Sequence, residues 1–257
     1  MTILLDKTGA VATVTISQPK KYNAVSPEMW DMLADTFTRL SDDDSVRCVI
    51  LRGDGKAFCS GSDLEKIDRT VDIAGGVKRL KRANRMILAI HTCEKPVISS
   101  VRGVALGVGW SLSLAADLSI ASESAKFVPA FTNIGLVPDG GAVWFLSRLI
   151  GARQALKVAF LAEPILPPEA LELGLINQIA PDDTIDAVVA ELAGRIAERP
   201  TLALSLTKRL FRHSAGPSLA EFLESEELAQ NLARNSSDFN EGVAAFGEKR
   251  PPKFTGR

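Results

Sequence analysis

The two residue types that build many catalytic centres are nearly missing from this chain. Its 257 residues include two histidines, His91 and His213, and three cysteines, Cys48, Cys59 and Cys93. Neither histidine has metal-ligand neighbours at a useful spacing, which argues against a zinc site, and no metal is expected. Three scattered thiols cannot build a disulfide framework and read as reduced cysteines of a cytoplasmic protein. Excess charge is missing too, because 30 Lys and Arg face 31 Asp and Glu. That balance leaves no electrostatic footprint for nucleic acid or a membrane surface as partner. No apolar run reaches the roughly 20 residues of a membrane helix. Met1 to Lys7 lacks the basic-then-apolar start of a secretory leader, so none is expected.

What is present is an ordinary globular composition, 46% apolar and 24% charged, on a chain long enough to bury a substantial core. One stretch organises it: Val101-Arg-Gly-Val-Ala-Leu-Gly-Val-Gly-Trp-Ser-Leu112. An apolar strand from Pro96 to Val101 enters a glycine-rich turn, and an apolar helix from Trp110 to Ala116 follows. Glycines at 103, 107 and 109 allow tight turning and close approach of a ligand. The first turn of a helix leaves its amide N–H groups without intrahelical partners, and the helix dipole lies behind them. The stretch therefore predicts an anion site or an oxyanion hole.

Gly55-Lys-Ala-Phe-Cys-Ser-Gly-Ser-Asp-Leu64 echoes it. Gly-x-Ala, an apolar residue, Gly and Leu fall at matching offsets, and each unit follows a strand ending in Arg-Gly, Arg52-Gly53 and Arg102-Gly103. Two such strand–turn–helix units suggest a coil whose successive turns aim main-chain donors at one point. Short Gly/Ala matches also arise by chance, and the pattern alone does not separate the two readings.

In chain order, residues 3–6 and 10–16 read as strands around Lys7-Thr8-Gly9, and 18–25 as a loop. Ser26-Pro27 opens a helix with the apolar stripe Met29, Leu33, Phe37 and Leu40. Val46 to Leu51 reads as a strand buried on both faces. Residues 70–92 are basic and helical in their second half, a face that usually means solvation only. Short strands at 117–121 and 126–128 precede a loop that delivers Asp139 before a helix at 143–149. From Gly151 helices predominate, at 152–162, 168–173, 184–199, 201–214, 218–235 and 238–248, with one strand at 175–179. The fold class is α/β, with residues 1–200 as core and 201–257 as a helical region expected to pack on other subunits.

The chemical motifs are few. Leu112 stands where a dinucleotide fingerprint needs its last glycine, and Gly53-Asp-Gly-Lys56 is only a fragment of a phosphate loop. Gly109-Trp-Ser-Leu-Ser113 is a partial nucleophile elbow, but its glycines precede Ser111 instead of bracketing it, which disfavours a hydrolase triad with His213. Asp139 carries two readings. Pro-Asp-Gly-Gly before an apolar helix is good capping chemistry. Its apolar flanks Ile134, Leu136, Val137 and Val143 would instead leave a poorly solvated carboxylate able to shuttle a proton near neutral pH.

Taken together, Ala57 to Leu64, Gly103 to Gly109, Ala116-Asp-Leu-Ser-Ile-Ala121 and Phe127 to Gly141 resemble the crotonase (enoyl-CoA hydratase/isomerase) superfamily. Ala170 to Asn177, Glu241 to Phe246 and Lys249 to Phe254 extend the match nearly end to end, closest in pattern to its ring-epoxide and double-bond isomerases. The resemblance implies a crotonase-type spiral of ββα repeats with a C-terminal helical trimerisation region, and homotrimers or dimers of trimers. It implies an acyl-CoA thioester substrate, with coenzyme A as part of the substrate and no other cofactor. The thioester oxygen would sit between the N–H groups of Ser62 and Val108. Tyr22, Ala24, Ala57, Ser60, Gly61, Asp63, Leu64 and Gly107 would line the CoA cleft, Lys20 or Lys21 would approach the phosphates, and Lys253-Phe254 would help from a neighbouring subunit. Trp110, Ser111 and Phe131 would surround the acyl group, with Trp144.

The departures carry the functional expectation. Hydratases of the superfamily use two glutamates where this chain has Ser111 and Phe131, and neither side chain activates water at neutral pH. Asp139, where several isomerases carry an active-site acid, is left as the catalytic residue. An isomerase acting through an enolate is therefore expected ahead of a hydratase, with a non-catalytic acyl-CoA binder or a serine hydrolase behind both.

Overall fold

A computed structural model describes residues 1–66, 70 and 72–256. Strands β1 (Thr2–Thr8) and β2 (Val11–Ser17) form a hairpin, and α1 (Pro27–Asp42) leads to β3 (Cys48–Gly53). Helix α2 (Ile73–Thr92) leads to β4 (Val97–Val101). Then β5 (Val104–Leu106), α3 (Val108–Leu114), β6 (Leu118–Ser122) and β7 (Lys126–Val128) follow in close succession. Helices α4 (Ala142–Leu149), α5 (Gly151–Leu161) and α6 (Pro167–Glu172) precede β8 (Gln178–Ala180). The chain closes with α7 (Ile185–Ala197), α8 (Thr201–His213), α9 (Leu219–Arg234) and α10 (Ser237–Glu248).

The larger sheet runs β1-β2-β3-β4-β6-β8, parallel throughout after the first hairpin. A second layer pairs β5 with β7 and is extended by single bridges at Val25–Ser62, Cys59–Ala105 and Phe127–Ile165. Each turn of chain thus adds one strand to the large sheet, one rung to the small layer, and a helix. This is the expected spiral of ββα repeats, and it brings the two echoing turns into adjacent rungs.

Apolar spacing explains the packing. Met29, Leu33, Phe37 and Leu40 are buried along α1, whose N-terminus is capped by Ser26 accepting from Met29 N. They join Met86, Ile87 and Ile90 of α2 in one core. On the other face of the sheet, Ile50, Ile98 and Ile120 pack under Ile185, Val189 and Ala193 of α7. The C-terminal helices differ: α9 buries none of its residues, and Leu219, Leu228 and Leu232 stand in the open.

Three local expectations need correction. Helix α2 fills nearly all of residues 70–92 rather than their second half; Val71 of that stretch is outside the described residues. The strand expected at 175–179 pairs only at Gln178–Ala180, because Asn177 turns its side-chain oxygen onto Ser119 N. The first echo is followed by a single 3-10 turn, Leu64–Lys66, and not directly by an α-helix.

Candidate functional site

The two glycine turns lie against each other. Cys59 N donates to Val104 O at 3.0 Å and Leu106 N donates back to Cys59 O at 2.9 Å. Gly109 presses on the same segment so closely that a Cβ would collide with the Cys59 carbonyl oxygen. Gly107 adopts φ 54 and ψ −126, which side chains rarely tolerate. It opens α3 two residues earlier than the apolar pattern suggests, since Trp110 N and Ser111 N both donate to Gly107 O. Val108 is therefore the first helical residue, and among the described residues its N–H has no acceptor. On the other turn, Val25 N donates to Gly61 O at 2.8 Å and Asp63 N to Val25 O at 3.0 Å. These bonds straddle Ser62, whose own N–H likewise has no acceptor among the described residues. Unused main-chain donors at both positions are the raw material of an oxyanion hole.

Asp139 is not a cap. Gly141 takes the position before α4, and no side chain bonds to that helix end. The Asp139 main-chain oxygen accepts from Ala142 N and from Ser111 Oγ, each at 3.1 Å. Its carboxylate atom Oδ1 is buried and has no hydrogen-bond partner. Burial pushes the carboxyl above the ordinary aspartate range, and the Arg79 guanidinium draws it only part of the way back. The loop is seated on α3: a Cβ at Gly140 would be 2.9 Å from Ser111 Cβ and 3.1 Å from Val108 Cγ2. The Phe131 ring lies on Gly107, 3.8 Å from the place of its missing Cβ. Asp139, Ser111, Val108 and Phe131 thus gather at the N-terminus of α3.

The expected CoA-cleft residues divide. Tyr22 and Leu64 are exposed, Ser60 is half-buried, and Ala24, Ala57 and Gly61 are buried where rungs of the small layer meet. Asp63 is buried, and Lys21 Nζ bonds both of its oxygens at 3.0 and 2.9 Å and Glu65 at 2.7 Å. Lys21 is therefore committed to carboxylates instead of being free for a phosphate, and Asp63 is a tie within the loop rather than an open contact. Burial would push Asp63 up, but the Lys21 ammonium prevails and holds it below the ordinary range.

The aromatic expectation also changes. Trp110 is a core residue: it is 2% exposed and packs on Phe127 with ring centres 5.8 Å apart. Trp144 is partly open, with Arg148 3.8 Å from its ring centre. Ser111 is fully buried and spends its hydroxyl on the Asp139 carbonyl, with no imidazole within hydrogen-bond reach among the described residues. His91 packs edge-on against Trp144 and Phe145, and burial drops its pKa to about 4. Neither feature suits a serine hydrolase. Sequence spacing gave no sign of the Lys21–Asp63 pair, because its partners lie on different turns of the spiral.

The model of the enoyl-CoA hydratase/isomerase family matches residues 6–257. The chain belongs to that family. It is 38% identical over 252 residues to the 1,2-epoxyphenylacetyl-CoA isomerase of Escherichia coli, covering 96% of this chain and 95% of that one. It is 37% identical over 261 residues to a Rhodobacter capsulatus protein named "probable enoyl-CoA hydratase", covering 100% and 98%. The crystal structure of an enoyl-CoA hydratase from Polaromonas superposes with a TM-score of 0.95 at 29% identity, covering 99% of this chain and 100% of that one. Membership makes this chain an enoyl-CoA hydratase/isomerase family enzyme. Among the described residues, no helix is long and apolar enough to cross a membrane, and no cluster of three His, Cys, Asp or Glu could hold a metal.

Proposed function

We propose that this enzyme shifts the double bond of an enoyl-CoA, with Asp139 as the proton carrier. The thioester oxygen binds the N–H groups of Ser62 and Val108. Asp139 takes the α-proton of a β,γ-enoyl-CoA, the electron pair moves onto the thioester oxygen, and the two donors stabilise the enolate. Asp139 then returns the proton to the γ-carbon, leaving an α,β-enoyl-CoA and the original carboxylate. No cofactor is consumed, since the proton and the electrons stay within the substrate and one side chain. Each oxyanion donor typically contributes about 2.7–4 kcal/mol to such a barrier.

The observation that carries this reading is the unpartnered, buried oxygen of Asp139 beside Val108 and Ser111. A carboxyl whose pKa is raised toward neutrality is a better proton shuttle than an ordinary aspartate. Hydration would need a second group to activate water, and Ser111 already donates to a carbonyl. The Escherichia coli relative is named for a ring-bearing acyl-CoA, and the proposal extends to such substrates here.

The test offers a β,γ-enoyl-CoA to the wild type and to Asp139→Asn. Growth of the conjugated-thioester absorbance in the wild type and its loss in the variant support the assignment. Consumption of an α,β-enoyl-CoA with falling absorbance would mark a hydratase, and tight CoA-ester binding without α-proton exchange would mark a non-catalytic binder.

We further propose that the open leucines of α9 pack on other copies to form a homotrimer or a dimer of trimers. Light scattering of the purified enzyme tests this, and a monomer would contradict it. The three free, buried cysteines fit a reducing compartment such as the cytoplasm.

A further inference from the structure

Helix α3 carries two buried serines whose hydroxyls serve different neighbours. Ser113 Oγ lies 2.9 Å from Ser99 Oγ and 3.2 Å from Ser119 Oγ, which joins the helix to β4 and β6 of the large sheet. Ser111 Oγ instead donates to the Asp139 carbonyl oxygen at 3.1 Å. A serine hydroxyl has one proton to give, and this one is committed to the loop that carries the acid.

The loop has little else to hold it. Residues 132–137 are exposed. Among the described residues, the Ser111 bond is the one hydrogen bond that ties residues 136–141 to anything beyond the loop itself and α4. The remaining tie is contact: a Cβ at Gly140 would come within 2.9 Å of Ser111 Cβ and 3.1 Å of Val108 Cγ2. Such contact stops the loop from moving toward α3, whereas only the hydroxyl opposes movement away from it. Val108 and Ser111 are three residues apart and so share a face of the helix. One turn therefore bears both the Val108 N–H and the group that holds the Asp139 main chain.

We infer that Ser111 is a positioning residue: its hydroxyl pins the Asp139 main chain to the turn that bears Val108, and so holds the carboxyl at one distance from a thioester oxygen bound there. The bond goes to the main chain and not to the carboxylate, so it fixes where the acid stands without occupying the oxygens that must take the proton. Ser111 thus acts through Asp139 and not on the acyl group. The inference rests on Asp139 being the proton carrier of the proposed reaction.

Ser111→Ala tests this, because it removes the hydroxyl and keeps the Cβ against Gly140. The variant should fold, since the Asp139 carbonyl retains its bond from Ala142 N at 3.1 Å and no polar atom is stranded. With a β,γ-enoyl-CoA its kcat should fall roughly ten- to a hundredfold as the acid loses its placement. KM should change less than about twofold, since only the chemical step is affected. Ser111→Cys, whose thiol donates weakly, should have a kcat between those of Ser111→Ala and the wild type. Carbon-13 titration of the Asp139 carboxyl, assigned by loss of the signal in Asp139→Asn, reads the same displacement without turnover. A carboxyl that swings out of its buried place gains water, so in Ser111→Ala its midpoint should fall toward the ordinary aspartate value. An unchanged kcat in folded Ser111→Ala would overturn the inference. So would a KM raised many-fold, which would mark a substrate contact, or a fall in kcat with an unmoved midpoint, which would give the hydroxyl a direct part in the chemistry. Full turnover in Asp139→Asn would remove the proposed reaction instead, while a shifted midpoint in Ser111→Ala would still report that the hydroxyl seats the loop.

Discussion

The two glycine turns look alike in sequence and are held by opposite means. The first, around Ser62, is tied by polar side chains. Asn23 Nδ2 donates to Ala57 O at 2.7 Å and to Asp54 O at 2.8 Å, Ser60 Oγ donates to Lys21 O at 2.8 Å, and Lys21 clamps Asp63. The second, around Val108, is set in the core, with Val108, Trp110 and Leu112 all buried. One donor of the proposed oxyanion hole therefore depends on a network that answers to pH and salt, and the other on apolar packing that does not. Two main-chain donors need not share a scaffold to meet at one oxygen.

The largest effect should come from the packed turn. Gly109→Ala drives a Cβ into the Cys59 carbonyl, and a clash against backbone cannot relax by rotamer change. It should cost more than about 3 kcal/mol or leave no soluble protein, as read by thermal melts and soluble yield. Asn23→Ala comes next. It strands two carbonyls and the Gln18 N–H at a fully buried site, so a loss of about 2–4 kcal/mol is expected from denaturant midpoints.

Lys21→Met should act more on rate than on stability. With the clamp gone, kcat/KM should fall between about ten- and a hundredfold as the Ser62 donor loses its placement. Asp63 titrates below the ordinary carboxylate value in the native state. The pair's stabilisation is thus full above that ordinary value and is lost as pH falls through the native one. The melting-temperature gap between wild type and Lys21→Met should therefore narrow in acid, and a constant gap would mean that the pair does not hold the turn. Sodium chloride should narrow the gap least of all, because Asp63 is buried.

Much of this was legible in the sequence for a physical reason. Close approach to another backbone requires glycine at 103 and 109, and a positive φ favours it at 107, so Gly103, Gly107 and Gly109 marked the turn. Ser26-Pro27 and the Met29–Leu40 stripe fixed α1 through local capping and period. What escaped was decided by distant chain. The helical pattern pointed to Trp110 as the start of α3, but the positive φ of Gly107 lets it begin at Val108. Trp110 looked like a pocket wall until Phe127 arrived from another turn of the spiral. Asp139 wavered between cap and acid because both need the same Pro-Asp-Gly-Gly, and only the side-chain direction separates them.

Asp139 keeps one carboxylate oxygen buried and unpartnered at the expense of stability. Its pKa is raised in the native state, so the unfolded chain holds fewer protons at that site and burial destabilises at neutral pH, a penalty that disappears in acid. One comparison of Asp139→Asn with the wild type, melting temperature beside α-proton exchange at pH 7.5 and at pH 4, tests this most directly. Abolished exchange is predicted, with a variant more stable than the wild type at the higher pH and no gain at the lower. A variant that melts earlier at both pH values, or that still exchanges the α-proton, would contradict it.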